Sequence, residues 1–193
     1  MAALALARVG GPDAAGMALE DESQIRHEYL DGEIYAMAGG SPDQASLAAT
    51  VIRLLGPRLP PGCRTFTSDL KIRILSTGLS TYPDVAVVCG GTIRASDDRL
   101  AVVNPVLLVE VTSESTEEYD RGEKLRHYQQ IPSLREVLIV SHREPRLTLH
   151  RVETTGWTAV EARAGETVQL ESVAARVAVD DVFRDELEDQ PRS

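Results

Sequence analysis

The chain has 193 residues, 42% of them hydrophobic, which suits one domain with a sizeable core and excludes a wholly disordered polypeptide. A formal net charge of −10 argues against a dedicated duplex-wrapping module, which is usually basic, but leaves room for an enzyme whose metal site concentrates carboxylates. Cys63 and Cys89 are the two cysteines, with no C-x-x-C and no His at ligand spacing, so the expectation is free buried thiols in a reducing compartment rather than a disulfide framework or a zinc site.

The N-terminal run MAALALARVGGPDAAG is apolar for only seven residues before Arg8. That is short for a signal segment and far short of the ~20 residues of a membrane span. Residues 1–20 are expected to be a disordered Ala/Gly-rich extension, 21–187 a single domain and 188–193 a frayed tail. The protein is expected to be soluble, cytoplasmic and off the membrane.

IRHEYL (25–30) and EIYAMA (33–38) flank Asp31-Gly32, a strong hairpin signal. Ser41 then suits an N-cap and Pro42 the first helical position; Ala45, Ala48, Ile52 and Leu55 recur at helical spacing, so 42–56 reads as a helix ended by Gly56-Pro57. After Pro60-Pro61-Gly62, Leu70, Ile72 and Ile74 alternate with Lys71 and Arg73, predicting a strand with one wet face. Val85 to Val88 and residues 106–112 are apolar runs suited to strands buried on both faces. Thr116 can cap a helix over about 117–130, and VLIV (137–140) follows as a third buried strand. RLTLHRV, GWTAVEAR and ETVQL read as an antiparallel meander, and a short helix is expected over 180–187.

Two acids stand out. Pro-Asp occurs at 12–13, 42–43 and 83–84, and only the last leads into a buried strand. Glu110 sits inside VLLVEV, where a period of two sets Leu108, Glu110 and Thr112 on one face and Val109 and Val111 on the other. A carboxylate there needs a metal, a cation or hydrogen bonds to offset its desolvation. Adjacent strands lie about 4.8 Å apart, so Asp84 and Glu110 at matched heights could share one hard divalent ion, Mg²⁺ or Mn²⁺. Lys124 and Tyr128 share a face of the following helix, whose first turns pass close to the end of the Glu110 strand; the long Lys124 stem could carry its ammonium to the acids. Each residue also has a plain alternative: a turn-forming Asp84, a strand-end Glu110 paired with an arginine, a solvated Lys124.

The series YPDVAVVCG, NPVLLVEVTSESTEEYDRGEKLRHYQQIPSLREVLIV, with EYLDGEIYAMAGGSPD and FTSDLKIRI before it, resembles the Uma-two family of restriction-endonuclease-like proteins within the PD-(D/E)XK nuclease superfamily. The resemblance spans roughly residues 25–183. It implies an α/β (α+β) fold: a restriction-endonuclease-like mixed sheet with flanking helices and an added antiparallel meander. It further implies Asp84 and Glu110 as metal ligands, the Val111 carbonyl as a third, and Lys124 as the catalytic cation, because Thr112 stands where the superfamily has lysine. Gln44 stands where members often have His. Helix 42–56 lacks the glutamate that superfamily nucleases often add, and Glu33 is its nearest substitute by sequence.

The resulting expectation is Mg²⁺- or Mn²⁺-dependent phosphodiester hydrolysis by Asp84, Glu110 and Lys124, on nucleic acid, DNA first, weakly bound. Local cations such as Arg73 and Arg121 would grip phosphate, and a homodimer is compatible. Two alternatives stay open: a catalytically silent dimeric binding module of the same fold, and a metal-dependent hydrolase of a small phosphorylated molecule.

Overall fold

The computed structural model describes residues 6–7, 27–30, 33–36 and 40–184; before residue 40, Glu28 alone has a described side chain. In chain order the elements are β1 (Leu6–Ala7), β2 (His27–Leu30), β3 (Glu33–Ala36), α1 (Pro42–Leu55), β4 (Cys63–Thr67), β5 (Lys71–Arg73), β6 (Ser80–Thr81), β7 (Val85–Cys89), β8 (Ala101–Val102) and β9 (Pro105–Val111). Next come helix α2 (117–128), β10 (Glu136–Val140), β11 (Arg146–Glu153), β12 (Gly156–Arg163), β13 (Thr167–Leu170), β14 (Ala175–Ala178) and the single turn α3 (Val179–Val182).

The central sheet has the order β12-β11-β10-β9-β7-β4. It is mixed: β9 runs parallel to β10 and antiparallel to β7. Parallel neighbours need a crossover connection, and α2 lies within it. The hydrophobic runs at β7, β9 and β10 bury both faces, as their lack of alternation requires. One face packs Val85, Val87, Leu107, Val109 and Leu138 against α1 and the strands after β10. The other packs Ala86, Val88, Leu108 and Ile139 against Leu125 and Tyr128 of α2, against Ile72 of a second sheet, ordered β1-β3-β2-β6-β5-β8, and against Leu79 just before β6.

α1 begins as its sequence directs. Ser41 accepts from the Gln44 N–H at 3.2 Å, the Gln44 side chain returns to the Ser41 N–H at 2.9 Å, and Pro42 occupies the first turn. Its buried residues are Leu47, Val51, Leu54 and Leu55, with Ala48 and Ile52 packed against the same core, so of the expected stripe Ala45 alone is exposed and the buried face is widened to Leu47, Val51 and Leu54. Larger side chains win the core because burying each stabilises by ~1.5–3 kcal/mol.

Other expectations need correction. Cys63 and Cys89 are directly opposite in the β4–β7 ladder and form a disulfide, with Cα atoms 4.0 Å apart, so they are not free thiols. The face of β5 expected to be wet is not: Lys71 is buried and pairs with Asp98 at 3.1 Å. Leu6–Ala7, inside the stretch expected to lack order, pairs with Tyr35 and Ile34 of β3. The rest of 1–20, the residues 185–187 of the expected last helix, the tail and the Glu33 side chain lie outside the described residues. Among the described residues no helix is long and apolar enough to cross a membrane.

Candidate active site at the β7–β9 junction

The antiparallel register Val85↔Val109 sets Asp84 opposite Glu110 one step further on. Ala86 and Leu108 both belong to the core on the α2 side, so a period of two points Asp84 and Glu110 to that same side. Glu110 is 3% exposed. Asp84 is half-buried, and its Oδ2 accepts the Val111 N–H at 2.7 Å. The strand end thus binds the first acid through its own backbone.

Helix α2 brings the cation. It opens as an α-helical turn, widens into a π-helical segment over Asp120–Lys124, and closes through Leu125–Tyr128. Such π turns often mark functional sites because they redirect side chains within a helix. Leu125 and Tyr128 anchor the helix in the core, and Lys124, 4% exposed, is carried down onto the acids. Its Nζ lies 3.0 Å from Glu110 Oε1, 3.2 Å from Glu28 Oε1 and 3.7 Å from Asp120 Oδ1. Tyr128 donates its hydroxyl to the same Glu110 oxygen. Among the described residues, Glu110 Oε2 and Asp84 Oδ1 carry no hydrogen bond.

Four carboxylates therefore gather around one ammonium. Burial pushes Glu110 up from its usual 4.5 to about 8; Lys124 and the Tyr128 hydrogen bond oppose this, and Asp120 and Asp84 add to it. Burial also raises Asp84, against the Val111 N–H and Lys124, and raises Asp120, against Lys124. Burial alone would depress the Lys124 ammonium, but the carboxylates of Glu110, Glu28 and Asp120 outweigh it and hold the lysine charged well above its usual range. The Tyr128 hydroxyl is raised by burial and by Glu110 and stays a proton donor.

The Val111 carbonyl accepts the Gln44 side-chain amide at 3.0 Å, leaving one lone pair. Thr112 is fully buried, with its hydroxyl 2.8 Å from His142 Nδ1. Arg73 is held by Asp97 at 2.9 Å and by Gly78 and Ser80; Arg121 by Glu117 at 3.2 Å and Thr148 at 3.2 Å. Both guanidiniums are thus engaged by the protein itself. Sequence reasoning missed Glu28 altogether. It lies in a hairpin strand where a Glu reads as a solvated residue, and only the packing of the second sheet against α2 buries it.

Among the described residues, no three His, Cys, Asp or Glu side chains are arranged to hold a metal by themselves. The donor set nevertheless fits a hard divalent cation that keeps several waters: two carboxylates with a free oxygen each, one carbonyl, and an excess of buried negative charge.

A mixed central sheet with α1 on one face and the crossover helix α2 on the other is the arrangement of a restriction-endonuclease-like fold. The chain belongs to the Uma2 family, described as "Putative restriction endonuclease", whose model matches residues 15–180. It is 38% identical over 167 residues to the uncharacterized protein slr1290 of Synechocystis sp., covering 86% of this chain and 87% of that protein. A second Synechocystis protein, the uncharacterized sll1609, is 33% identical over 63% of this chain and 69% of its own length. The fold is similar to the crystal structure of a putative nuclease belonging to DUF820 from Anabaena variabilis, with a TM-score of 0.69, 16% identity, and coverage of 86% of this chain and 93% of that one.

Proposed function

We propose that this chain is a metal-dependent nuclease that hydrolyses phosphodiester bonds, with Asp84, Glu110 and the Val111 carbonyl holding Mg²⁺ or Mn²⁺. The observation that carries the reading is the pairing of Asp84 and Glu110 on one face of neighbouring strands, with the Lys124 ammonium 3.0 Å from Glu110. When bound, such a cation supplies Lewis acidity to a phosphoryl oxygen and acidifies water. Asp84 and Glu110 contribute its negative ligands. Lys124, fixed beside them and charged, stabilises the negative charge that develops on the phosphate. Tyr128 orients Glu110 by donating to one oxygen and so directs the other outward. DNA is the first substrate to test. With a net charge of −10 and with Arg73 and Arg121 held by internal partners, nucleic-acid binding is weak, and its salt dependence is shallow because few phosphates are neutralised.

Calorimetry with Mn²⁺, followed by cleavage of a mixed panel of DNA substrates, tests this. Wild type should bind Mn²⁺ and cut, and Asp84→Ala should do neither. Mn²⁺ binding no better in wild type than in Asp84→Ala would sink the metal site. One feature favours a second reading, a catalytically silent module that binds a partner: Lys124 and the Val111 carbonyl each already have partners within the chain. That reading expects neither Mn²⁺ binding nor cleavage.

A further inference from the structure

Among the described residues, the β2–β3 hairpin joins β6 through a single residue pair, Tyr29↔Ser80. Beside that pair lies Glu28, 6% exposed. Its Oε1 accepts the Thr81 hydroxyl and lies 3.2 Å from Lys124 Nζ; its Oε2 accepts the Tyr119 hydroxyl at 3.0 Å. One carboxylate therefore ties the hairpin to β6 and to two positions on α2.

Lys124 and Lys71 are the chain's only lysines among 20 Lys and Arg residues, and both are buried against carboxylates. Every exposed cation of the described chain is an arginine or a histidine. Lysine has a flexible stem with ~2 kcal/mol of rotamer entropy, so its ammonium stays in one place only if partners hold it from different directions. Asp120 sits four residues back on the same helix and moves with Lys124, so it cannot fix the ammonium relative to the sheet. Glu110 pulls from the central sheet. Glu28 is the partner from the second sheet. Without it, the ammonium is free to settle onto the Asp84–Glu110 pair, where it would neutralise the charge meant for a metal.

We propose that Glu28 is a positioning residue that holds the Lys124 ammonium beside the acid pair, so that docking of the N-terminal hairpin completes the site. The consequence for cleavage rests on the nuclease reading; the restraint on the lysine does not. The carboxylate accepts from the neutral Thr81 and Tyr119 hydroxyls, and glutamine at this position can pair with both, its oxygen accepting from one hydroxyl and its amide N–H donating to the other, while losing the charge that grips Lys124.

The chain's two lysines make a direct test possible. Reductive methylation with formaldehyde and a borane, read residue by residue by mass spectrometry, reports the freedom of Lys124, with Lys71 as internal control. Glu28→Gln should methylate Lys124 about tenfold faster, the scale of losing one charge-assisted hydrogen bond, with Lys71 unchanged. Tyr119→Phe, which removes a donor to Glu28 but leaves its charge facing Lys124, should stay near wild type. In single-turnover cleavage, Glu28→Gln should lower the rate constant about tenfold with half-saturating substrate unchanged, and Glu28→Asp should recover part of it. Equal Lys124 methylation in wild type and Glu28→Gln overturns the proposal. So does a rise at both lysines in Glu28→Gln and Tyr119→Phe alike, which marks a purely structural tie. Wild type that cuts nothing, with the Lys124 contrast intact, sinks the nuclease reading and upholds the role of Glu28.

Discussion

Two glutamates are buried on neighbouring strands of the central sheet, Glu136 at the start of β10 and Glu110 near the end of β9, and their surroundings differ in kind. Glu136 is enclosed by donors. Its Oε1 accepts from Arg151 Nε at 2.8 Å and from the Glu171 N–H at 3.0 Å; its Oε2 accepts from the Ser172 N–H at 3.0 Å and from the Ser172 hydroxyl. Each oxygen is satisfied and a guanidinium balances the charge. Glu110 uses one oxygen for Tyr128 and Lys124, and among the described residues its one cation is shared with Glu28 and Asp120. A buried acid that ties a structure together is surrounded by its own partners. A buried acid set among other acids is short of positive charge, which a ligand can supply.

The contrast can be broken most sharply at Lys124. Lys124→Ala should lower cleavage by about 10²–10³, the scale of losing one charge-stabilising group from a transition state. Its Mn²⁺ affinity should not fall, because the change frees Glu110 from a competing cation. Arg126→Ala, at an exposed position two residues on, should leave cleavage unchanged. Single-turnover assays and Mn²⁺ titrations decide, and a loss of Mn²⁺ binding in Lys124→Ala would place the lysine in a structural role.

A smaller effect comes from the other end of β7. The disulfide closes a span of 26 residues, so removing it with Cys63→Ser and Cys89→Ser should cost about 3 kcal/mol in urea unfolding. Mn²⁺ affinity should hold, because Asp84 and the Cys89 link lie at opposite ends of the strand. A parallel loss of metal binding would show that β4 shapes the site.

Glu136→Gln should destabilise by about 2 kcal/mol, less than the ~3–5 kcal/mol of a fully buried broken pair, because Arg151 is partly exposed and keeps Glu171. Glu110→Gln should behave in the opposite sense, with a pH signature. The folded chain holds the Glu110 proton up to about pH 8, whereas the unfolded chain releases it near 4.5. Between those values the unfolded state binds fewer protons, so apo stability falls as pH rises, by ~1 kcal/mol per unit. Glu110→Gln should remove that slope and be the more stable protein at pH 8 without metal. Urea midpoints across pH 5–8 would show it, and an unchanged slope would mean that Glu110 is already balanced like Glu136.

Much of this geometry could be read from the residues. Asp84 and Glu110 were legible because an acid within an apolar run has no ordinary reason to be there, and the same period of two that fixes the strands fixes the face. Lys124 was within reach because the helix has to cross back over that face. Strand β4 was not legible: Cys63–Thr67 is a short edge strand of mixed residues, none fully buried, with no clear alternation. Missing it hid the register that sets Cys63 against Cys89, and with it the disulfide. Glu28 and the burial of Lys71 escaped for a different reason. Glu28 depends on the second sheet packing over α2 and Lys71 on the chain bringing Asp98 back to β5, long-range contacts that no local pattern encodes.

The capping of α1 reaches further than its first turn. The two ends of the Gln44 amide are both committed, the oxygen to the Ser41 N–H and the nitrogen to the Val111 carbonyl. The helix packs on the face of the sheet opposite Lys124, yet its first turn grips the strand end where the acids meet. α1 therefore acts as a lever arm. A tilt driven by its packing at Leu47 and Val51 is delivered to Val111, whose N–H orients Asp84 and whose C=O borders the acid pair, so the apolar half of the protein has mechanical purchase on the charged half.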